Sequence, residues 1–194
     1  MTETQYLAWS SQNDGVRSEW VDGEVVIMPA VEWAHERISK FVSLLVGLYV
    51  TEHDLGVVFG EPYQIRFAKL RRRRMPDLCF VASNRTRHLE RMQFDGAPDL
   101  AIEIVSTDSQ TRDRREKFLE YQEAGVREYW IIDPIVKGVE FYTLKRGKGL
   151  VLLPETEGRI ESVILPGLFI RPEWFWMLRP PKVLGLLKQM GMED

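Results

Sequence analysis

Hydrophobic positions along the chain change their period several times, and each change marks an element. Between Val31 and His53, residues Ile38, Phe41, Val42, Leu45, Leu48 and Tyr49 recur at helical spacing. That stripe is the face an amphipathic helix buries against a sheet, and Gly56 suits the turn after it. From Leu100 to Val105 the run is almost wholly apolar, the pattern of a strand covered on both faces. Asp77 to Val81 and Tyr129 to Ile132 are shorter runs of the same kind. The spacing predicts a helix over Gln110 to Ala124, closed by Gly125, with Phe118 and Tyr121 facing the sheet. Strand, helix, strand between Leu100 and Ile132 is a βαβ-type unit, and the remaining pairings are expected to be antiparallel.

Local signals fill in the rest. Thr2 can cap a short helix reaching Trp9. Asp22-Gly23, set between Glu19-Trp20-Val21 and Glu24 to Met28, predicts a hairpin, because both central turn residues need positive φ. Two short strands follow around Val57 to Phe59 and Tyr63 to Phe67, separated by Pro62. Ser83 to Ala97 reads as a loop with one helical turn near His88 to Gln93. After Asp133-Pro134, three runs (Gly138 to Leu144, Gly149 to Leu153, Arg159 to Leu165) predict an antiparallel β-meander. Trp174, Phe175 and Trp176 pack a short closing helix, and Val183 to Met190 is a weakly amphipathic tail. No repeat or linker divides the chain. The expectation is an α/β (α+β) fold, one domain over residues 1–194, with a mixed central β-sheet flanked by helices. Its core spans about residues 16–135, and the meander and closing helix about 136–194.

Composition adds limits. With 194 residues, 44% hydrophobic and 28% charged, the chain reads as a globular protein with a sizeable core. Its net charge of -3 gives no global attraction to nucleic acid. Local charge differs: Arg71, Arg72, Arg73 and Arg74 form one block, and Arg112, Arg114 and Arg115 another. Each block is either a solvated face or a set of phosphate contacts. Cys79 is the only cysteine, which excludes an intrachain disulfide and thiolate-rich zinc sites. His35, His53 and His88 have no metal-ligand spacing. There is no basic leader or apolar signal core, and the longest apolar run, Phe41 to Val50, is too short for a bilayer. A cytoplasmic location without membrane attachment is therefore expected.

One residue interrupts the most apolar strand: Glu103. A carboxylate buried alone costs several kcal/mol, so Glu103 should meet a cation, a metal or water at a cleft, a core pairing with an arginine being the plainest case. Asp77, at the start of another strand, can converge on it if the two strands pair, since neighbouring strands lie about 4.8 Å apart. Asp99 cannot: four residues along one strand is about 13 Å, whereas ligands sit about 2.1 Å from a magnesium ion. Asp99 is read as a strand-entry residue. Two residues beyond Glu103, on the same strand face, stands Val105 rather than a lysine. The next lysine is Lys117, on the following helix. It either overhangs the strand end to hold water and offset phosphate charge or pairs with Asp113 four residues away. Two acids and a lysine converging on a cleft make a minimal set for metal-dependent phosphodiester hydrolysis. His35 and Glu36, at the start of the long helix, either point into that cleft or lie exposed.

Together these motifs resemble the PD-(D/E)XK nuclease superfamily and, more closely, the bacterial restriction-endonuclease-like proteins of the Uma-two type. The matching stretches are Trp20 to Pro29, His35-Glu36-Arg37-Ile38-Ser39, Pro76-Asp77-Leu78, Gly96 to Ser106, Lys117 to Tyr121, Gly125-Val126, Glu128-Tyr129-Trp130 and Ile132-Asp133-Pro134. The resemblance implies a restriction-endonuclease-like sheet flanked by helices, and a DNA endonuclease using Mg2+ or Mn2+. It assigns Asp77 and Glu103 as metal ligands and moves the lysine role to Lys117. It adds a supporting acid, with Glu36 the candidate and Glu19 and Glu24 behind it. The arginine block before Pro76 is not part of the family pattern. It is read as a DNA-backbone contact peculiar to this chain. DNA and further copies of the chain, as a dimer or higher homo-oligomer, are the expected partners. The alternative is a nuclease-like module that binds nucleic acid or oligomerises without cutting. A purely structural role for Glu103, neutralised by an arginine, is the third possibility.

Overall fold

The computed structural model describes residues 1–106 and 115–192. The chain opens with helix α1 (Glu3–Gln12), started by Thr2 and Gln5 in a reciprocal capping box. Strands β1 (Ser18–Val21) and β2 (Glu24–Ile27) form the expected hairpin. Asp22 and Gly23 both take positive φ, 50° and 93°, as the twist of a two-residue hairpin demands. Helix α2 (Trp33–Glu52) follows, then β3 (Gly56–Phe59) and β4 (Gln64–Phe67).

The arginine block is neither loop nor helix. Arg72–Arg74 is a strand, β5, inserted between β1 and β4. After β6 (Leu78–Ala82) the predicted loop holds a 3-10 helix, Ser83–His88, and a short strand, β7 (Gln93–Asp95), which pairs in parallel with β4. The expectation of wholly antiparallel pairing outside the βαβ unit therefore fails at β7, whose three residues carry too little pattern to be read locally. Then come β8 (Leu100–Ile104), helix α3 (Lys117–Ala124) and β9 (Glu128–Asp133), with β8 and β9 parallel. The first residues of the predicted helix, from Gln110 on, lie outside the described residues, and its end at Gly125 is as expected, with φ 88°. Strands β10 (Gly138–Lys145) and β11 (Gly149–Leu152) continue the sheet. The third meander strand does not join them: β12 (Ile160–Glu161) pairs with β13 (Phe169–Ile170) in a separate ribbon. Helices α4 (Glu173–Trp176) and α5 (Val183–Gln189) close the described chain.

Two larger sheets result. One has the order β11-β10-β9-β8-β6-β3, the other β2-β1-β5-β4-β7. Strand alternation divides the six-stranded sheet between two cores. Leu100, Ile102 and Ile104 face the stripe of α2, together with α4 and α5. Ala101, Cys79 and Ile131 face the opposite way, against Tyr121 of α3 and Ile65, Phe67 and Phe94 of the smaller sheet. The smaller sheet and α3 thus cover the face from which Glu103 projects. Among the described residues no helix is long and apolar enough to cross a membrane.

Candidate active site

Strands β6 and β8 pair antiparallel with Leu78 opposite Ile102. The next step of that register brings Asp77 level with Glu103. Asp77 Oδ2 accepts the Ile104 amide at 2.6 Å, which extends the ladder through a side chain. Both carboxylates line one cleft with Arg17, His35, Glu61 and Lys117.

Lys117 and Tyr121 lie one turn apart on α3, and both reach Glu103. Lys117 Nζ is 2.7 Å from Oε2, and the Tyr121 hydroxyl donates to Oε1 at 2.6 Å. Glu103 and Lys117 are 3% and 1% exposed, so this ion pair is almost dry. Burial drives the Tyr121 hydroxyl well above its ordinary pKa, and the adjacent Glu103 charge adds to the effect. Tyr121 therefore acts here as a neutral donor.

Behind Lys117 sits Glu19, fully buried, with Oε1 3.6 Å from Nζ. Glu19 accepts the Met75 amide at 3.0 Å and Arg74 Nη1 at 2.7 Å. Arg74, also fully buried, donates its other two bonds to Glu120 at 2.7 and 2.6 Å. Burial alone would raise the Glu19 pKa, but the charges of Lys117 and Arg74 override it and hold the carboxyl below its ordinary range.

On the other side of the cleft, His35 Nε2 lies 3.0 Å from Asp77 Oδ1. Burial opposes protonation of His35, yet the Asp77 hydrogen bond and charge outweigh it and raise its pKa. Its Nδ1 is buried without a partner among the described residues. Glu61 is pushed up, first by burial and further by the charge of Asp77, while its pairing with Arg17 opposes the rise.

The structure thus brings Asp77, Glu103 and Lys117 together. Glu36 does not line that cleft: its side chain is 47% exposed and 3.5 Å from Lys40, in an adjoining groove that His35, Glu61 and Asp77 also line. The neighbour, His35, takes the cleft position, and Glu19 is the second acid on Lys117, beside Glu103. Adjacent helical residues point about 100° apart, so local sequence could not choose between the two. Asp99 is fully buried as a strand-entry strut, bonded to the Ala82 amide, Arg85 and Arg127.

The first arginine block is mostly internal. Arg72 pairs with Asp22 and Glu120, Arg73 with Glu3, and Arg74 with Glu19 and Glu120. Arg73 and Arg74 are buried, so these guanidinium groups neutralise carboxylates rather than face a ligand. Arg71 and Arg115 are exposed, while Arg112, Arg114 and Asp113 lie outside the described residues. No local pattern in the sequence marks Arg17 or Glu61. Only the fold brings the residue before β1 beside the loop between β3 and β4.

The donor set suits a hard divalent cation. Magnesium takes one or two carboxylates from protein and completes its shell with water and phosphate, and Asp77 and Glu103 offer such a pair. Among the described residues no three His, Cys, Asp or Glu side chains group as a metal cluster. Cys79 is buried with its thiol pushed well up by that burial, which makes a soft-metal site a poor fit.

The family described as "Putative restriction endonuclease" (Uma2) matches the chain over residues 4–173. A solved structure of a "putative nuclease belonging to DUF820" from Anabaena variabilis ATCC 29413 aligns with a TM-score of 0.69 and 20% identity. The alignment covers 82% of this chain and 89% of that one, and the likeness is one of fold. No curated protein matches.

Proposed function

The chain belongs to the Uma2 family, and from that premise we propose that it is a divalent-metal-dependent endonuclease hydrolysing phosphodiester bonds in DNA. The observation that carries this reading is the pairing of β6 with β8, which sets Asp77 beside Glu103 at a cleft with Lys117 on Glu103. Asp77 and Glu103 would hold Mg2+ or Mn2+. Such an ion, when bound, polarises the scissile phosphate and lowers the pKa of a water. Lys117 lies between Glu103 and Glu19, where its ammonium group can orient the attacking water beside Glu103. His35 fixes the orientation of Asp77. Glu19, in contact with Lys117, fills the supporting role first given to Glu36. Exposed Arg71 and Arg115, with Arg112 and Arg114, contact the DNA backbone, so binding weakens as salt rises. Cutting both strands in one encounter takes two such sites, so a homo-oligomer belongs to the proposal, as does action in the cytoplasm.

A nuclease fold that binds DNA without cutting is the second reading. It is favoured by the contacts the two acids already make, Asp77 with the Ile104 amide and His35, Glu103 with Lys117 and Tyr121. Nicking of supercoiled plasmid in Mg2+ or Mn2+ separates the two. The wild type should cut, and Asp77→Asn and Glu103→Gln should each lose at least about a hundredfold in rate while melting cooperatively. Normal cutting by either variant would overturn the assignment. Salt-dependent DNA binding with no metal-dependent cleavage by the wild type would establish the second reading.

A further inference from the structure

A phosphodiester entering this cleft meets Asp77, Glu103 and Glu61, all acids. An ion held by Asp77 and Glu103 would take one phosphate oxygen, and the remaining charge calls for a cation of the protein itself. Lys117 is a poor receiver, because its side chain is 2% exposed and is held between Glu103 and Glu19. Arg72, Arg73 and Arg74 are taken up by internal carboxylates. Among the described residues lining the cleft, the remaining permanent cation is Arg17, whose side chain is 28% exposed.

We propose that Arg17 is the residue that binds the substrate phosphate in this cleft, and that Glu61 is the internal stand-in that holds its guanidinium until the substrate arrives. The inference rests on the nuclease reading and goes beyond it by naming the phosphate-binding side chain. Arg17 directly precedes β1, and its carbonyl accepts the Met28 amide at 2.8 Å, so its backbone is anchored across the hairpin. Nη1 donates to the Pro29 carbonyl at 3.0 Å, and Nη2 pairs with both carboxylate oxygens of Glu61. A guanidinium carries five donors in a planar fork matched to carboxylate and phosphate alike. The Pro29 bond fixes the side chain on the wall, while Glu61 occupies Nη2, the arm of the guanidinium that a phosphate would take. Glu61 also explains how an arginine can wait beside Asp77 and Glu103 without closing onto them.

The test is fluorescence anisotropy of a labelled 20-base-pair duplex in Ca2+, with thermal melting of every variant. Arg17→Gln should weaken binding roughly tenfold and lower the salt slope by about one. Glu61→Gln should do the opposite and tighten binding a few-fold, because the guanidinium is released. The double variant should bind like Arg17→Gln. Unchanged binding by Arg17→Gln, or weakening by Glu61→Gln of the same size, overturns the inference, the second result making the pair a structural strut. A wild type that binds but never cuts defeats the nuclease reading alone. A wild type that cuts while Arg17→Gln binds normally defeats this inference alone. A wild type that binds no duplex overturns both.

Discussion

Glu19 shows how a single side chain decides the character of the site. It is an acid with no solvent contact, ionised because Lys117 and Arg74 lie against it. Its folded-state pKa is depressed, so its contribution to stability is complete above the unfolded carboxylate value of about 4.3 and disappears as pH falls through the folded value. Urea denaturation of the wild type and Glu19→Gln from pH 7 to pH 3 should show this. At neutral pH the variant should be less stable by roughly 3 kcal/mol, the usual cost of breaking a buried ion pair. The gap should narrow on acidification, and a gap independent of pH would show that Glu19 is not ionised in the folded protein. None of this could be read from residues 18–20 alone. What the local pattern does reveal is Glu103, because a carboxylate in an apolar run demands a partner. Which of Glu36, Glu24 and Glu19 becomes the nearby acid depends on contacts between residues far apart in sequence. The arginine run misled for the same reason: its carboxylates come from α1, β1 and α3.

At the scale of elements, the legible ones were those specified by their own residues. The stripe of α2, the Asp22-Gly23 hairpin and the apolar run of β8 each state their structure locally. Strands β5, β7 and β12 have three, three and two residues, and they exist because a neighbouring edge accepts them. The Asp77 position depends on one further element contact. At Gly60, just after β3, an added Cβ would lie 2.2 Å from the Asp77 carbonyl oxygen, a backbone atom that cannot swing aside. Gly60→Ala should therefore cost about 2 kcal/mol through overpacking and displace the strand start that carries Asp77. Its Mg2+ affinity by calorimetry should fall with it. Gly185→Ala is the control: it is exposed in α5 with open space around the new methyl group, and it should stabilise by about 0.5 kcal/mol. Equal effects from the two substitutions would refute the close-approach argument.

The whole molecule places its charges where two sheets and a helix meet. The six-stranded sheet contributes Asp77 and Glu103, the smaller sheet Glu19 and Arg74, and α3 supplies Lys117 between them. An ion bound by Asp77 and Glu103 should stabilise the whole assembly by linkage. At ten times its Kd the gain is about 1.4 kcal/mol, or roughly 3–5 °C in Tm for a chain of this size. Scanning calorimetry should show that shift for the wild type in Mg2+ and its loss in Glu103→Gln, and equal shifts in both would place the ion elsewhere. The interlocked charges also bear on how such a chain diverges. Removing any one of Glu19, Arg74 or Lys117 leaves its buried neighbours with one partner fewer, so each loss carries a folding cost. A descendant whose cleft has lost Asp77 would therefore still carry them, held by the folding requirement alone. Within a lineage, persistence of this charged cluster records that the two sheets are still joined in the same way, and it is no witness to what the cleft still does.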